Sequence, residues 1–153
     1  MPAHDDIPLP ALLRAARGAY GHAIRRMLAG AGFDDLPRSA PFILGGMGNH
    51  DAPIGGLVRQ LGVSKQAAGQ LVDTLVLRGY LERATNPDDR RRMTIELTPR
   101  GEAAAREVRS AVEEVDRELA GQLTAEQLEG LRAGLVALTT IREQMEEAGG
   151  RRG

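Results

Sequence analysis

The chain has 153 residues, of which 42% are hydrophobic, with two Phe, two Tyr, no Trp and no Cys, and its formal net charge is −1. The lack of Cys excludes disulfides, thiolate metal sites and cysteine-based redox sensing, and the scarcity of aromatic residues requires a core of Leu, Val, Ile and Ala, which suits packed helices. No apolar run approaches the ~20 residues that span a bilayer, and the segment MPAHDDIPLP lacks the pattern of a signal peptide, so we expect a cytoplasmic protein that does not bind membranes.

Two helices are predicted in the first fifty residues. Apolar residues recur at steps of three and four from Leu9 to about Gly30, which describes one face of a helix. The segment AGAGFDDLPRSAP then interrupts the pattern with Gly, Asp and Pro. A short apolar helix is expected over residues 39–48, and GNHDAP is the next break.

The middle of the chain has the pattern of a helix-turn-helix. Residues 53–61 predict a short helix, and Gly62 supplies the turn after it, in which we expect Val63 to be buried. Ser64 is a suitable N-cap for a second helix over residues 65–78, because its hydroxyl can accept a hydrogen bond from a free backbone amide.

Two short strands are predicted directly after this motif. Gly79 is expected to end the second helix as a C-terminal cap. Residues 80–85 and 93–98 alternate like half-buried strands, and the loop between them, NPDDRRR, is turn-forming and strongly charged. The order helix, turn, helix, hairpin predicts a winged helix-turn-helix.

Two long helices are predicted to close the chain, one from Pro99 to about residue 121 and one capped by Thr124. Their apolar stripes are longer than a small domain needs, which predicts a dimer interface shared with the first helix. The predicted fold is thus mainly α, with about six helices and a two-stranded wing. We divide it into an N-terminal helix of the dimerisation region (1–36), a winged helix-turn-helix lobe (37–100), C-terminal dimerisation helices (101–148) and a flexible basic tail (149–153).

Charge is unevenly distributed along the sequence. Residues 53–101 carry eight basic and five acidic side chains, a net charge of +3, whereas residues 102–148 carry a net charge of −6. Affinity for DNA depends on where positive charge clusters, because that is where counterions are released from phosphate. The near-neutral total therefore does not exclude a DNA-binding protein.

The first turns of the second motif helix carry the side chains that would read DNA. Gln can bond adenine through two hydrogen bonds, and an Ala methyl can contact the methyl group of thymine. Lys65 and the free amides near Ser64 would hold phosphate. The alternative is an ordinary solvated amphipathic helix. The predicted contact residues of this helix are Ser64, Lys65, Gln66, Ala67 and Gln70.

The loop between the strands carries a second set of candidates. A minor groove is narrow and negatively charged, and Arg is the side chain that enters it best. Asp89 is expected to brace Arg91, and Arg90 to contact the groove or a phosphate. The alternative is a solvated charged hairpin that adds little stability. The predicted DNA-binding residues of the hairpin are Arg83, Asp89, Arg90, Arg91 and Arg92.

The segments VSKQAAGQLVDTLVLRGYLER and NPDDRRRMTIELTPRG together resemble the MarR (multiple antibiotic resistance regulator) family of bacterial transcription factors. The D-x-R pattern of that family falls on Asp89 and Arg91, and the resemblance is specific over about residues 53–101. It implies a homodimer with interlocking terminal helices, in which each lobe places a recognition helix in the major groove of a palindrome. The sequence departs from the family at Gly55 and Gly56, where better helix formers are usual.

The resemblance also implies an effector, because family members often release DNA when a small anionic or phenolic ligand binds between the dimer helices and the DNA-binding lobe. His50 would alternatively be a surface or loop-capping residue, and His22 does not share a helix face with Tyr20. We expect no cofactor and no metal site. The candidates for lining a ligand site are Arg14, Arg17, Tyr20, Met47 and His50.

The sequence therefore predicts a DNA-binding transcriptional regulator, a homodimeric repressor of a palindromic operator that a ligand releases. The alternative is a winged-helix adaptor that dimerises without specific DNA binding. An enzyme is not expected, because the chain has no Gly-rich phosphate loop after a strand, no pair of His at helical spacing, and no nucleophile beside a base.

Overall fold

The computed structural model describes residues 6–50, 54–91 and 93–150, apart from the side chains at positions 49, 50 and 93. Six α-helices and one two-stranded antiparallel sheet occur in these ranges, so the predicted mainly α fold with a two-stranded wing is confirmed. The elements are α1 (Leu9–Gly30), α2 (Ala40–His50), α3 (Ile54–Leu61), α4 (Lys65–Leu77), β1 (Leu81–Thr85), β2 (Met93–Leu97), α5 (Pro99–Gln122) and α6 (Ala125–Gly150).

The helix-turn-helix ends where its capping residues predicted. Gly62 and Gly79 have φ angles of +66° and +76°, values that favour glycine because it lacks a Cβ. The Ala67 amide donates to Ser64 Oγ at 3.1 Å, which confirms Ser64 as the N-cap of α4. Thr124 caps α6 in the same way, since its hydroxyl accepts from the Gln127 amide at 3.2 Å.

One expectation for the turn is wrong. Val63 is 42% exposed rather than buried. Leu57 and Leu75 of the two motif helices belong to the core cluster, and Ala68 is also buried, whereas Val63 is not part of that cluster. The turn therefore runs along the surface of the lobe.

The hydrophobic core draws on every element from α1 to α5. Tyr80, Ile43 and Leu75 are fully buried, and Leu81 is 1% exposed. Both strands contribute to it, since Leu81 belongs to the core and its strand partner Leu97 packs against it. This core joins the helix-turn-helix and the strands into one scaffold that positions the exposed side chains.

The chain divides into two compact units, one up to Val115 and one from Asp116. In the second unit, α6 has no buried residue and leaves large apolar side chains exposed. The predicted domain boundaries and the dimerisation role of the flanking helices stay predictions. None of the helices described is long and apolar enough to cross a membrane.

Candidate nucleic-acid interface and neighbouring pocket

Helix α4 turns a polar face outward because its apolar residues are used in the core. Ala68 and Leu75 are buried on one side. The first two amides of α4 have no acceptor one turn earlier, as in any helix, so they can bind an anion. The structure brings all five predicted contact residues of this helix to the surface: Ser64, Lys65, Gln66, Ala67 and Gln70 are exposed.

Arg83 links the hairpin to the helix. Its Nη2 atom donates to Asp73 Oδ1 at 2.5 Å, and both side chains are about half exposed. The ion pair contributes little stability at such exposure, but it fixes the guanidinium between β1 and α4. Sequence reasoning selected Arg83 and missed Asp73, because nothing in the order of residues shows that β1 lies beside α4.

Two side-chain-capped turns, one at Asn86 and one at Asp89, shape the hairpin tip. The Asp88 amide donates to Asn86 Oδ1 at 2.9 Å, and the Arg91 amide donates to Asp89 Oδ1 at 3.0 Å. Asp89 therefore braces the main chain of Arg91. Arg90 and Arg91 are exposed and form no salt bridge with the residues that the structure describes. Arg92 lies outside the described residues.

The base of the hairpin contains a polar cluster that sequence reasoning missed. We define the Tyr80 cluster as Phe33, Asp35, Tyr80 and Arg100. The Tyr80 hydroxyl donates to Asp35 Oδ1 at 2.5 Å, and Arg100 Nη2 donates to Tyr80 Oη at 3.0 Å and to the two Asp35 carboxylate oxygens at 3.2 and 3.3 Å. The Arg100 guanidinium lies 4.5 Å from the centre of the Tyr80 ring.

These contacts shift the ionisation of the cluster in opposite directions. The hydrogen bond from Tyr80 lowers the pKa of Asp35, and the positive charges of Arg100 and Arg78 lower it further against the opposing effect of burial. Burial raises the pKa of Tyr80, and the hydrogen bond to Asp35 raises it further. The cluster therefore favours an ionised Asp35 beside a protonated Tyr80.

A cavity of about 900 Å³ lies in the first unit, between α1, the following loop, α2 and α5. Among the predicted ligand residues, Arg17 and Tyr20 line this cavity. Arg14 is exposed on α1 without lining it, and Met47 is buried in the core, because its position on α2 faces inward. The side chain of His50 lies outside the described residues.

Three further arginines line the same cavity and were not predicted: Arg25, Arg38 and Arg109. Arg109 also donates to the Gly48 carbonyl oxygen at 2.8 Å, which ties α5 to α2. Apolar groups such as Phe42 and Val112 form other parts of the wall. Such a lining suits an amphipathic anion. In the described part of the chain, no cluster of three His, Asp or Glu could hold a metal ion.

We compared the chain with protein families, curated sequences and solved structures. Residues 34–92 match the sequence profile of the MarR family. A search of curated protein sequences found no significant match. Among solved structures, the MepR–DNA complex of Staphylococcus aureus superposes with a TM-score of 0.69 at 20% identity, and the match covers 88% of this chain and 98% of that one.

Two further structures share the fold at slightly higher identity. The wild-type MarR of Escherichia coli in its apo form has a TM-score of 0.58 at 25% identity, covering 86% of this chain and 96% of its own. A probable transcriptional regulator from Pseudomonas aeruginosa has a TM-score of 0.61 at 26% identity, covering 89% and 99%. The predicted resemblance to the MarR family is confirmed by the profile match over residues 34–92 and by the winged-helix fold shared with these structures.

Proposed function

We propose that this chain is a DNA-binding transcriptional regulator, a homodimeric repressor that recognises a palindromic operator. The observation that carries the proposal is the pairing of two exposed features on one winged-helix scaffold: the polar start of α4 and the arginine-rich hairpin tip. An adaptor has no need for consecutive arginines at the tip. MepR, a protein of the same fold, has been crystallised with DNA.

In this proposal α4 enters the major groove. Gln66 and Gln70 lie four residues apart, so they share one face of the helix and reach neighbouring base edges. Ala67 contacts a thymine methyl group, and Lys65 contacts phosphate beside the free amides of the first turn. Phosphate contacts fix the register of the helix, and the two glutamines supply the sequence preference.

The hairpin tip enters the adjacent minor groove. Asp89 holds the backbone at Arg91 in a turn, which limits the entropy that the tip loses on binding. Arg91 inserts into the groove, and Arg90 and Arg92 contact the groove edge or phosphate. Arg83 contacts the DNA backbone between helix and hairpin, held there by Asp73.

Helix α6 supplies the dimer contact. Its large apolar side chains are 38–70% exposed and recur at steps of mostly three and four residues, which is the pattern of a helix seam. A second copy of the chain covers such a stripe with the same stripe, and the resulting two-fold symmetry requires a palindromic site. The side chains concerned are Leu131, Leu135, Leu138, Ile141 and Met145.

Release from DNA is assigned to the cavity in the first unit. A small anionic or phenolic ligand would pair its charge with Arg17 and stack on Tyr20, both of which line the cavity. The ligand acts on DNA binding to the extent that it prefers one arrangement of the lobe over another.

Selection of duplex DNA from a random pool, read at about 150 mM salt, tests the proposal. Enrichment of an inverted repeat is expected. Arg91→Ala should then weaken binding to that repeat by about 1–3 kcal/mol and reduce the salt dependence by about one counterion. Arg106→Ala removes an exposed arginine of α5 outside the interface and serves as the control.

Two results would contradict the proposal. Equal effects of Arg91→Ala and Arg106→Ala would remove the hairpin from the interface. A folded, dimeric protein that enriches no sequence would favour the winged-helix adaptor.

A further inference from the structure

The cavity and the hairpin base share one wall. The loop between α1 and α2 contributes Phe33, Asp34, Leu36 and Pro37 to the cavity lining. Asp35, in the middle of this run, does not line the cavity. Its carboxylate accepts hydrogen bonds from Tyr80 and Arg100. One five-residue segment therefore faces the cavity on one side and the hairpin base on the other.

Phe33 is the second contact across this wall. Its ring lines the cavity and meets the Tyr80 ring edge to face, with centroids 6.1 Å apart and planes at 61°. Tyr80 is completely buried, so its ring cannot follow a displacement of Phe33 or Asp35 without moving the core around it.

On its other side, Tyr80 is built into the start of the wing. Its amide donates to the Leu75 carbonyl at the end of α4, and its carbonyl accepts from the Thr98 amide at 3.1 Å. A Cβ on Gly101 would collide with the same carbonyl oxygen, so α5 is packed directly against it. Tyr80 thus joins α4, both strands and α5 at a single residue.

We propose that the Tyr80 cluster couples the cavity to the wing. A molecule that displaces the α1–α2 loop outward draws Phe33 and Asp35 away from Tyr80, and the hairpin base loses the contacts that hold it. This inference rests on the proposed function and specifies the route by which the same cavity would regulate it. Couplings between sites of this kind change an equilibrium by about 5- to 150-fold.

The absence of Cys allows a test that needs no known ligand. Phe42 lines the cavity and is partly exposed, so Phe42→Cys introduces the chain's single thiol there. N-phenylmaleimide attached to that thiol places a bulky adduct in the cavity, whereas the methylthio group from methyl methanethiosulfonate is a much smaller adduct at the same position. Backbone hydrogen exchange of β1 and β2, followed without DNA, reports the hairpin.

The expected result is that the phenylmaleimide adduct raises exchange in both strands by about 10-fold and the methylthio adduct leaves it unchanged. In Tyr80→Phe, and separately in the milder Asp35→Asn, exchange should be faster before labelling and should rise by a smaller factor on labelling than in the protein with the intact Tyr80–Asp35 bond. Both variants keep the shape of the side chain and remove the hydroxyl or the charge that joins the loop to the hairpin base.

Two outcomes would overturn the coupling. In the first, the phenylmaleimide adduct leaves hydrogen exchange in β1 and β2 unchanged in the protein with the intact Tyr80–Asp35 bond. In the second, it raises exchange by the same factor with and without that bond. A separate measurement of DNA affinity distinguishes this from failure of the proposed function. If labelling raises exchange in β1 and β2 but the protein binds no DNA, the coupling is supported and the proposed function as a transcriptional regulator is contradicted.

Discussion

Asp34 and Asp35 are neighbours in sequence, but the structure gives them different energetic roles. Replacing Asp35 by Asn removes the ion pair with Arg100 and converts a charge-assisted hydrogen bond from Tyr80 into a neutral one. A hydrogen bond to a charged group contributes about 1.5–3 kcal/mol and a neutral one about 0.5–1.5. The Asp35 side chain is 39% exposed, so the ion pair adds less than about 1 kcal/mol. Asp35→Asn should therefore lower the free energy of unfolding by about 1–2 kcal/mol.

The sign of the pH dependence follows from the lowered pKa of Asp35. A carboxyl group that is more acidic in the folded state stabilises the protein above its unfolded pKa, about 4, and loses that contribution as the pH falls through the folded value. The difference between parent and Asp35→Asn should be constant near neutral pH and shrink below about pH 4.

Urea denaturation of parent, Asp35→Asn and Asp34→Asn across this range measures the effect. Asp34 is exposed, and the hydrogen bonds and ion pair of Tyr80 and Arg100 go to Asp35 and not to Asp34, so Asp34→Asn is the matched control and should change stability by less than about 0.5 kcal/mol. Equal losses for the two variants, or a difference that does not shrink in acid, would refute the role assigned to the cluster.

Three further results are expected. In Tyr20→Phe, which leaves Tyr80 as the single tyrosine, absorbance should show ionisation above the ordinary tyrosine pKa. The hydroxyl's stabilising contribution should be fully present below the ordinary tyrosine pKa and be lost as the pH rises from there through the higher folded value; titration at the ordinary pKa would contradict the buried hydrogen bond. Gly101→Ala places a Cβ against the Tyr80 carbonyl and should lower the unfolding midpoint in thermal denaturation, with an unchanged midpoint as the contrary result. Leu138→Asp should shift sedimentation towards the monomer, whereas Thr139→Asp, one residue further round α6, should not; equal behaviour would argue against the seam.

Sequence patterns predicted the elements well because their signals are local. Ser64 and Thr124 cap helices through groups three residues away, and Gly62 and Gly79 are required by backbone conformation alone. Val63 was placed wrongly because burial depends on neighbours from other helices. Local sequence determines where a helix begins, whereas tertiary packing determines which of its side chains are buried.

The candidate site divides in the same way. The exposed face of α4 and the turn at Arg91 follow from periodicity and from an aspartate two residues earlier in the chain. The contacts of Asp35 with Tyr80 and Arg100 join positions 45 and 65 residues apart, and no pattern within either segment signals them.

The residues proposed to recognise DNA could therefore be predicted from local sequence, whereas the residues that position the hairpin could not. The side chains proposed to contact DNA lie on elements that local sequence patterns predict. They are exposed, so replacing any one of them should change the stability of the core little. The start of the hairpin is instead held at Tyr80, which is buried, is hydrogen-bonded through its backbone to Leu75 and Thr98, and packs against Gly101 of α5. Because the α1–α2 loop bonds to that ring and also lines the cavity, changes in either should move the hairpin while leaving its arginines intact. Variants at the hairpin tip should alter the affinity for DNA equally whether the cavity is empty or occupied. Variants at Asp35 should instead alter the size of the effect that filling the cavity has on the hairpin.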